Sequence, residues 1–282
     1  MTECPPQPVF DIAATSGFYA QMTGLLAGFA FSAIIVILWL GKEHTRPKGV
    51  ILTLLSAFIS LVLSTLTYSV LAGDSGAYTR AAAQELVDAI PFVLAVMMLF
   101  HGLTQLLMGS PNPEATAVKV SRSLSAVITP TLAIFYLASG AVDNELARTA
   151  ARRVSEPTYC GDLGPMTTFS IALLGALLIV LLVLWFVPPP RHIGPKLSQR
   201  ASVVPLTTLW VSIGVTLSVG VITLQRPDFQ LPSWAVVGFL SSTWLLLVFL
   251  ATFILWARPP DTTASTSSGE VVGKVKQSVP GT

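Results

Sequence analysis

Residues 166–187 read MTTFSIALLGALLIVLLVLWFV, a stretch with no ionisable side chain and no proline, closed by three prolines at 188–190. A bilayer core about 30 Å thick takes about 20 helical residues to cross at about 1.5 Å each. The stretch is long enough, and it is apolar on every side, which suits lipid rather than a surface helix. Six more runs of similar length carry no Lys or Arg: 18–40, 50–72, 86–108, 123–142, 205–224 and 233–257. Only 11% of the chain is charged, against about 25% in ordinary soluble domains. A soluble protein of 282 residues could not supply a core that buries seven such helices. The expected fold is all-α, a polytopic membrane bundle of seven transmembrane helices. It divides into an N-terminal tail (1–17), a helical domain (18–257) and a Ser/Thr/Gly-rich tail (258–282) expected to be disordered.

Charge in the connecting segments predicts orientation. With the N-terminus outside, the inner segments hold Lys42, Arg46, Lys48, Lys119, Arg122, Arg191, Lys196, Arg200, Arg258, Lys274 and Lys276. The outer ones hold Arg80, Arg148, Arg152, Arg153 and Arg226. Cations accumulate on the cytoplasmic side, so the N-terminus is expected outside and the C-terminus in the cytoplasm. Residues 1–16 lack any Lys or Arg, so the first run is read as a retained span rather than a signal peptide. Trp39, Trp185, Trp210 and Trp256 fall near inner ends, and Tyr19, Tyr68 and Trp234 near outer ones, as an interfacial belt requires. Trp244 falls mid-span, where its indole N–H needs a partner on a neighbouring helix. The expected location is the plasma (cytoplasmic) membrane, with the lipid bilayer as surroundings.

The two cysteines, Cys4 and Cys160, both map outside. An oxidising compartment permits a bridge between them, and the sequence is equally compatible with two separate thiols. The longest loop, 143–165, carries helix-forming residues from Glu145 to Arg153 before Pro157, and residues 81–87 extend span three outward as a helix. Pro130 is expected to kink span four.

Small residues recur every fourth position in span one: Ser16, Ala20, Gly24, Gly28 and Ser32. Such stripes let helix backbones approach closely in lipid. Span two repeats the pattern with Ser56, Ser60 and Ser64, and span six with Thr208, Ser212, Thr216 and Gly220. These faces serve packing within the bundle, or contact with a second copy or another membrane protein.

Ionisable groups inside the spans are few. Glu85 and Asp88 fall in the first turn of span three, where an interfacial, hydrated position is expected. His101 shares a helix face with Met98, Gln105 and Met108. A thioether, an imidazole and an amide together suit copper or haem ligation or a polar path, and equally a neutral His bonded to a neighbouring helix. If a polar cavity exists, Gln21, Tyr68, His101, Gln105 and Tyr136 are expected to line it.

Catalytic sets are missing from the sequence. Gly73-Asp-Ser-Gly76 imitates a nucleophile loop, but no histidine lies on the same side to serve as base. No HExxH, CxxC, Walker A or Rossmann glycine pattern is present. No cofactor is expected, and no segment resembles a nucleic-acid-binding module. Retinal proteins need a lysine in the last span, which 233–257 lacks; the receptor class coupled to G proteins needs motifs that 108–111 and 255–258 do not carry. One architectural resemblance remains. Val36-Ile-Leu-Trp39 before a basic, proline-containing loop is similar to Leu182-Val-Leu-Trp185 before another. That resembles the parallel repeats of three-plus-one-plus-three sugar uniporters, and implies passive transport of a small solute. The leading expectation is instead a non-enzymatic structural or accessory protein, acting through helix–helix contacts with itself or a partner. It rests on the small-residue faces, the missing catalytic sets and the missing buried charge.

Overall fold

The computed structural model describes residues 11–40, 49–74, 78–109, 114–155, 164–187 and 202–256, which are helical almost throughout, with no strand among them. The helices are α1 (Ile12–Leu40), α2 (Val50–Gly73), α3 (Tyr78–Met108), α4 (Ala115–Ser123), α5 (Thr129–Ser155), α6 (Gly164–Phe186), α7 (Val203–Thr223) and α8 (Ser233–Trp256). A π-helical turn, Leu124–Ile128, joins α4 to α5, so Ala115–Arg153 acts as one span. Seven described helices are then long and apolar enough to cross a membrane. The chain is an all-α integral membrane protein. Cys4, Cys160 and the tail 258–282 lie outside the described residues.

Two arginines mark the ends of the bundle. At one end Arg80 grips both carboxylate oxygens of Asp74 (2.8 and 2.6 Å) and donates to the Gln225 carbonyl (2.6 Å). This ties the α2–α3 corner to the α7–α8 connection, where Thr79 also donates to the Pro227 carbonyl. At the other end Arg122 donates to the carbonyls of Ile254 (3.3 Å) and Leu255, the last turn of α8. A cation at a helix C-terminus satisfies carbonyls left without intrahelical donors. α1 begins at Ile12, earlier than the apolar run, and Ile12 packs with Ala81, Ala82 and Ala147 at the Arg80 end.

α3 is the hub. It packs against α2, α5, α7 and the π turn, and more lightly against α1 and α8. Every residue from Ala81 to Pro91 is buried. The alanines at 81–83, 89 and 95 keep the helix narrow enough for so many neighbours, and two glycines bring backbones closer still. A Cβ on Gly102 would stand 2.7 Å from Leu54 Cδ2, and one on Gly140 would stand 3.6 Å from Leu86 Cα. The serine stripes of α2 and α7 meet inside the bundle: Ser56 donates to the Pro205 carbonyl and Ser60 to Ser212 Oγ, each at 2.8 Å. The mid-span indole of Trp244 finds its partner on α6, donating to the Leu173 carbonyl at 3.1 Å.

Two expectations change, and the one at Pro130 gains a π turn. The i+4 stripe of α1 does not stay on one face, because each four-residue step turns the helix by about 400°, a drift of about 40°. Ser16 is buried, Gly24 faces Thr65 of α2, and Gly28 and Ser32 are exposed. The inward face follows Ile12, Ser16, Thr23, Ala27, Ala30 and Ile34 instead. Pro130 produces a π turn on its N-terminal side, with Thr129 Oγ1 donating to the Leu124 carbonyl at 2.7 Å. Proline supplies no N–H and crowds the carbonyl four residues back, so the helix admits an extra residue per turn there. The two halves also pack differently. α2 lies between α1 and α3, whereas its counterpart α7 packs on α2 and α3 rather than chiefly on α6 and α8. Parallel three-helix repeats require equivalent packing, so the uniporter resemblance does not extend to the arrangement of helices.

Candidate functional site

Four helices bring polar side chains together in the half of the bundle nearer Arg80. Tyr19 of α1, Tyr68 of α2 and Tyr136 of α5 form a cluster. The Tyr19 ring centroid lies 5.4 Å from that of Tyr68 and 5.2 Å from that of Tyr136. The hydroxyls of Tyr68 and Tyr136 are 3.5 Å apart, and Phe92 of α3 packs against Tyr19 at 6.5 Å. Tyr68 is wholly buried, which a phenol tolerates only with a polar neighbour.

One turn before Phe92 on α3 stands Asp88, 0% exposed, and one turn before that Glu85, 6% exposed. This corrects the expected hydrated, interfacial position of both. α3 starts at Tyr78 and extends beyond the apolar run, and α1, α2, α5 and α7 rise beside it, so its first turns lie inside the bundle wall. Asp88 is nine residues, about 13.5 Å, from Met97 at the middle of the apolar run 86–108, close to the roughly 15 Å half-thickness of a bilayer core.

The carboxylates are short of protein partners. Neither Asp88 oxygen has a hydrogen-bond partner, nor does Glu85 Oε2. Thr67 lies beside Asp88, but its hydroxyl donates to the Ser64 carbonyl at 3.1 Å. Two arginines at this end are engaged elsewhere, Arg80 with Asp74 and Arg148 with Glu145 and Ser233. Two further buried groups at the same level are also unsatisfied: Ser16 Oγ on α1 and both amide atoms of Asn144 on α5. Ser16 lies one turn from Ile12 on the inward face of α1, and Asn144 one turn from the Gly140–Leu86 contact. Pro91 adds to the polarity of the site, because its missing N–H leaves the Val87 carbonyl without a helical donor. Buried polar groups almost always have partners, and intramembrane carboxylates without them mark sites for a proton, a cation or a ligand. Among the described residues no three His, Cys, Asp or Glu side chains converge to hold a metal ion.

The candidate polar face divides in two. Tyr68 and Tyr136 belong to this cluster. His101 and Gln105 form a separate pair toward the Arg122 end, about 20 Å along α3 from Asp88. Gln105 Nε2 lies 2.8 Å from His101 Nε2, and Thr53 Oγ1 lies 3.4 Å from Gln105 Oε1. With the amide nitrogen donating, His101 accepts at Nε2, and its Nδ1 is left without a partner. Met98 is buried beside this pair, and Gln21 is exposed on α1.

An apolar groove adjoins the tyrosine cluster. It measures about 430 Å³ and runs between α3 and the π turn and start of α5, with Phe92 and Tyr136 at its polar end. Leu132 and Phe135 on its rim are 61% and 62% exposed, so it opens sideways toward lipid. Sequence reading missed Ser16, Glu85, Asp88 and Asn144 as buried groups short of partners. The available signal was two acids one helical turn apart on a helix that extends beyond its apolar run. No protein-family model, no curated protein and no solved structure matches the chain.

Proposed function

We propose that this protein is a passive transporter of a small solute, with its binding site at the tyrosine–carboxylate cluster of α1, α2, α3 and α5. The observation that carries the reading is Asp88: a wholly buried carboxylate, with no hydrogen bond to either oxygen, one turn before Phe92, which packs on a cluster of three tyrosines from three helices. A bundle held only by packing gains nothing from such a group, which costs several kcal/mol to bury unpaired. A translocation site needs one, and the chemistry favours a cationic solute that the carboxylates attract and the tyrosine rings surround. The premise of missing buried charge, on which an accessory role rested, no longer applies. The serine stripes of α2 and α7 bond to each other inside the bundle at Ser60 and Ser212.

The test is flux in proteoliposomes, with radiolabelled methylammonium as cation and erythritol as neutral control. Methylammonium should enter at least tenfold faster than through protein-free vesicles, and Asp88→Asn should remove that increment. Equal entry of both solutes, or flux indifferent to Asp88→Asn, would reject the reading.

A second reading, an accessory protein that pairs through α1, is favoured by the exposed Gly28 and Ser32. A homodimer through that face should dissociate in Gly28→Ile, read by cross-linking in native membranes.

A further inference from the structure

The lateral groove and the carboxylate site adjoin at Phe92 and Tyr136, and their chemistries are complementary. The groove is lined by Phe92 and Phe100 of α3, Leu124 and Ile128 at the two ends of the π turn, and Leu132 and Tyr136 of α5. Its volume of about 430 Å³ falls within the roughly 300–1,000 Å³ of small-ligand sites. At one end, Tyr136 meets Tyr19 and the Tyr68 hydroxyl, and Phe92 stands one helical turn from Asp88. From the lipid side the groove has apolar walls and ends at Phe92 and Tyr136, behind which lie the other tyrosines and two carboxylates that form no ion pair with a described residue.

We infer that the ligand is an amphiphilic amine drawn from the bilayer, with its apolar tail in the groove and its ammonium group at Asp88 and Glu85 among the tyrosines. This rests on the site proposed above and adds the substrate class and the route of entry. An apolar tail without charge would leave the carboxylates unpaired. A small hydrophilic cation would leave the aromatic groove unused. An amphiphilic anion would meet the field of two carboxylates. Only the cationic amphiphile satisfies both parts: burying apolar atoms contributes about 25 cal/mol per Å², and the desolvated ammonium gains both the carboxylate and the ring faces. The π turn fits this role, since the added residue displaces the wall of α5 beside the groove, and such turns recur at functional sites.

The test is photolabelling of the full chain in lipid nanodiscs by three probes of equal length carrying the same diazirine: dodecylamine, dodecanol and dodecanoate. The amine should label residues bordering the groove, Phe100 and Leu132 foremost, at least tenfold more than the other two. Unlabelled dodecylamine should compete. Asp88→Asn should reduce amine labelling to the level of the alcohol, and Ala133→Leu, which narrows the groove, should reduce labelling by all three. Equal labelling by the three probes in the unaltered protein would overturn the inference without recourse to any variant. So would amine labelling spread evenly over lipid-facing residues, or a preference that survives Asp88→Asn. Saturable amine labelling without methylammonium flux would retain this ligand site and remove the small-cation transport proposed above. Flux without groove labelling would retain transport and remove the amphiphile.

Discussion

Ser60 on α2 donates its hydroxyl to Ser212 Oγ on α7 across 2.8 Å, and both residues are wholly buried. This contact joins helices far apart in sequence, with Ser56 and the Pro205 carbonyl one turn away. A double-mutant cycle with Ser60→Ala and Ser212→Ala should return a coupling of about 0.6 kcal/mol, and no more than about 1.7. Unfolding midpoints in mixed micelles measure it. A coupling of zero would mean that the two helices are held by packing alone.

Gly102 and Gly28 should respond oppositely to alanine. A methyl at 102 would stand 2.7 Å from Leu54 Cδ2, whereas one at 28 meets nothing within 4 Å. Gly102→Ala is expected to cost about 1–3 kcal/mol by overpacking the α2–α3 contact. Gly28→Ala should be neutral or stabilise by up to about 1 kcal/mol, through helix propensity. Thermal unfolding of both variants decides the matter, and a destabilised Gly28→Ala would point to a partner on that face.

His101 and Gln105 should behave as a structural pair, although His101 Nδ1 has no partner inside the bundle. Gln105→Leu leaves His101 Nε2 without its donor inside a span, at a cost of about 1–3 kcal/mol. Replacing both residues by Leu removes the unsatisfied group and should recover most of the loss. Methylammonium flux should stay within twofold of the unaltered protein in the double variant. Loss of flux with stability preserved would place His101 on the transport path.

Asp88→Leu separates function from stability. If the carboxylate is a ligand group, replacing it removes an unpartnered buried polar side chain and should stabilise the bundle by about 1–3 kcal/mol while abolishing flux. A destabilised variant would show instead that Asp88 holds the bundle together.

Arg80→Ala should release the α7–α8 connection from α2 and α3, lowering stability by about 1–2 kcal/mol. Arg80→Lys keeps the charge but not the fork that spans Asp74 and the Gln225 carbonyl, so it should rescue only partly. Raising salt should narrow the difference between the variants, since both side chains of the ion pair remain partly exposed.

Hydropathy alone determined that this chain spans a membrane with seven helices, because crossing hydrocarbon requires about 20 apolar residues with every backbone group bonded within its helix. It also placed the need of Trp244 for a neighbouring acceptor and the helical extension past Glu145, both local consequences of composition. The inward or outward direction of a polar residue is different. That is set by which helices stand beside it, and neighbours are chosen by packing across the whole chain. Ser16 and Ser32 belong to one sequence stripe, yet the drift of an i+4 pattern leaves one inside and one outside. Glu85 and Asp88 read as interfacial from their place at the edge of an apolar run. Only the tertiary structure, by surrounding the first turns of α3 with α1, α2, α5 and α7, made them the buried charge of the bundle.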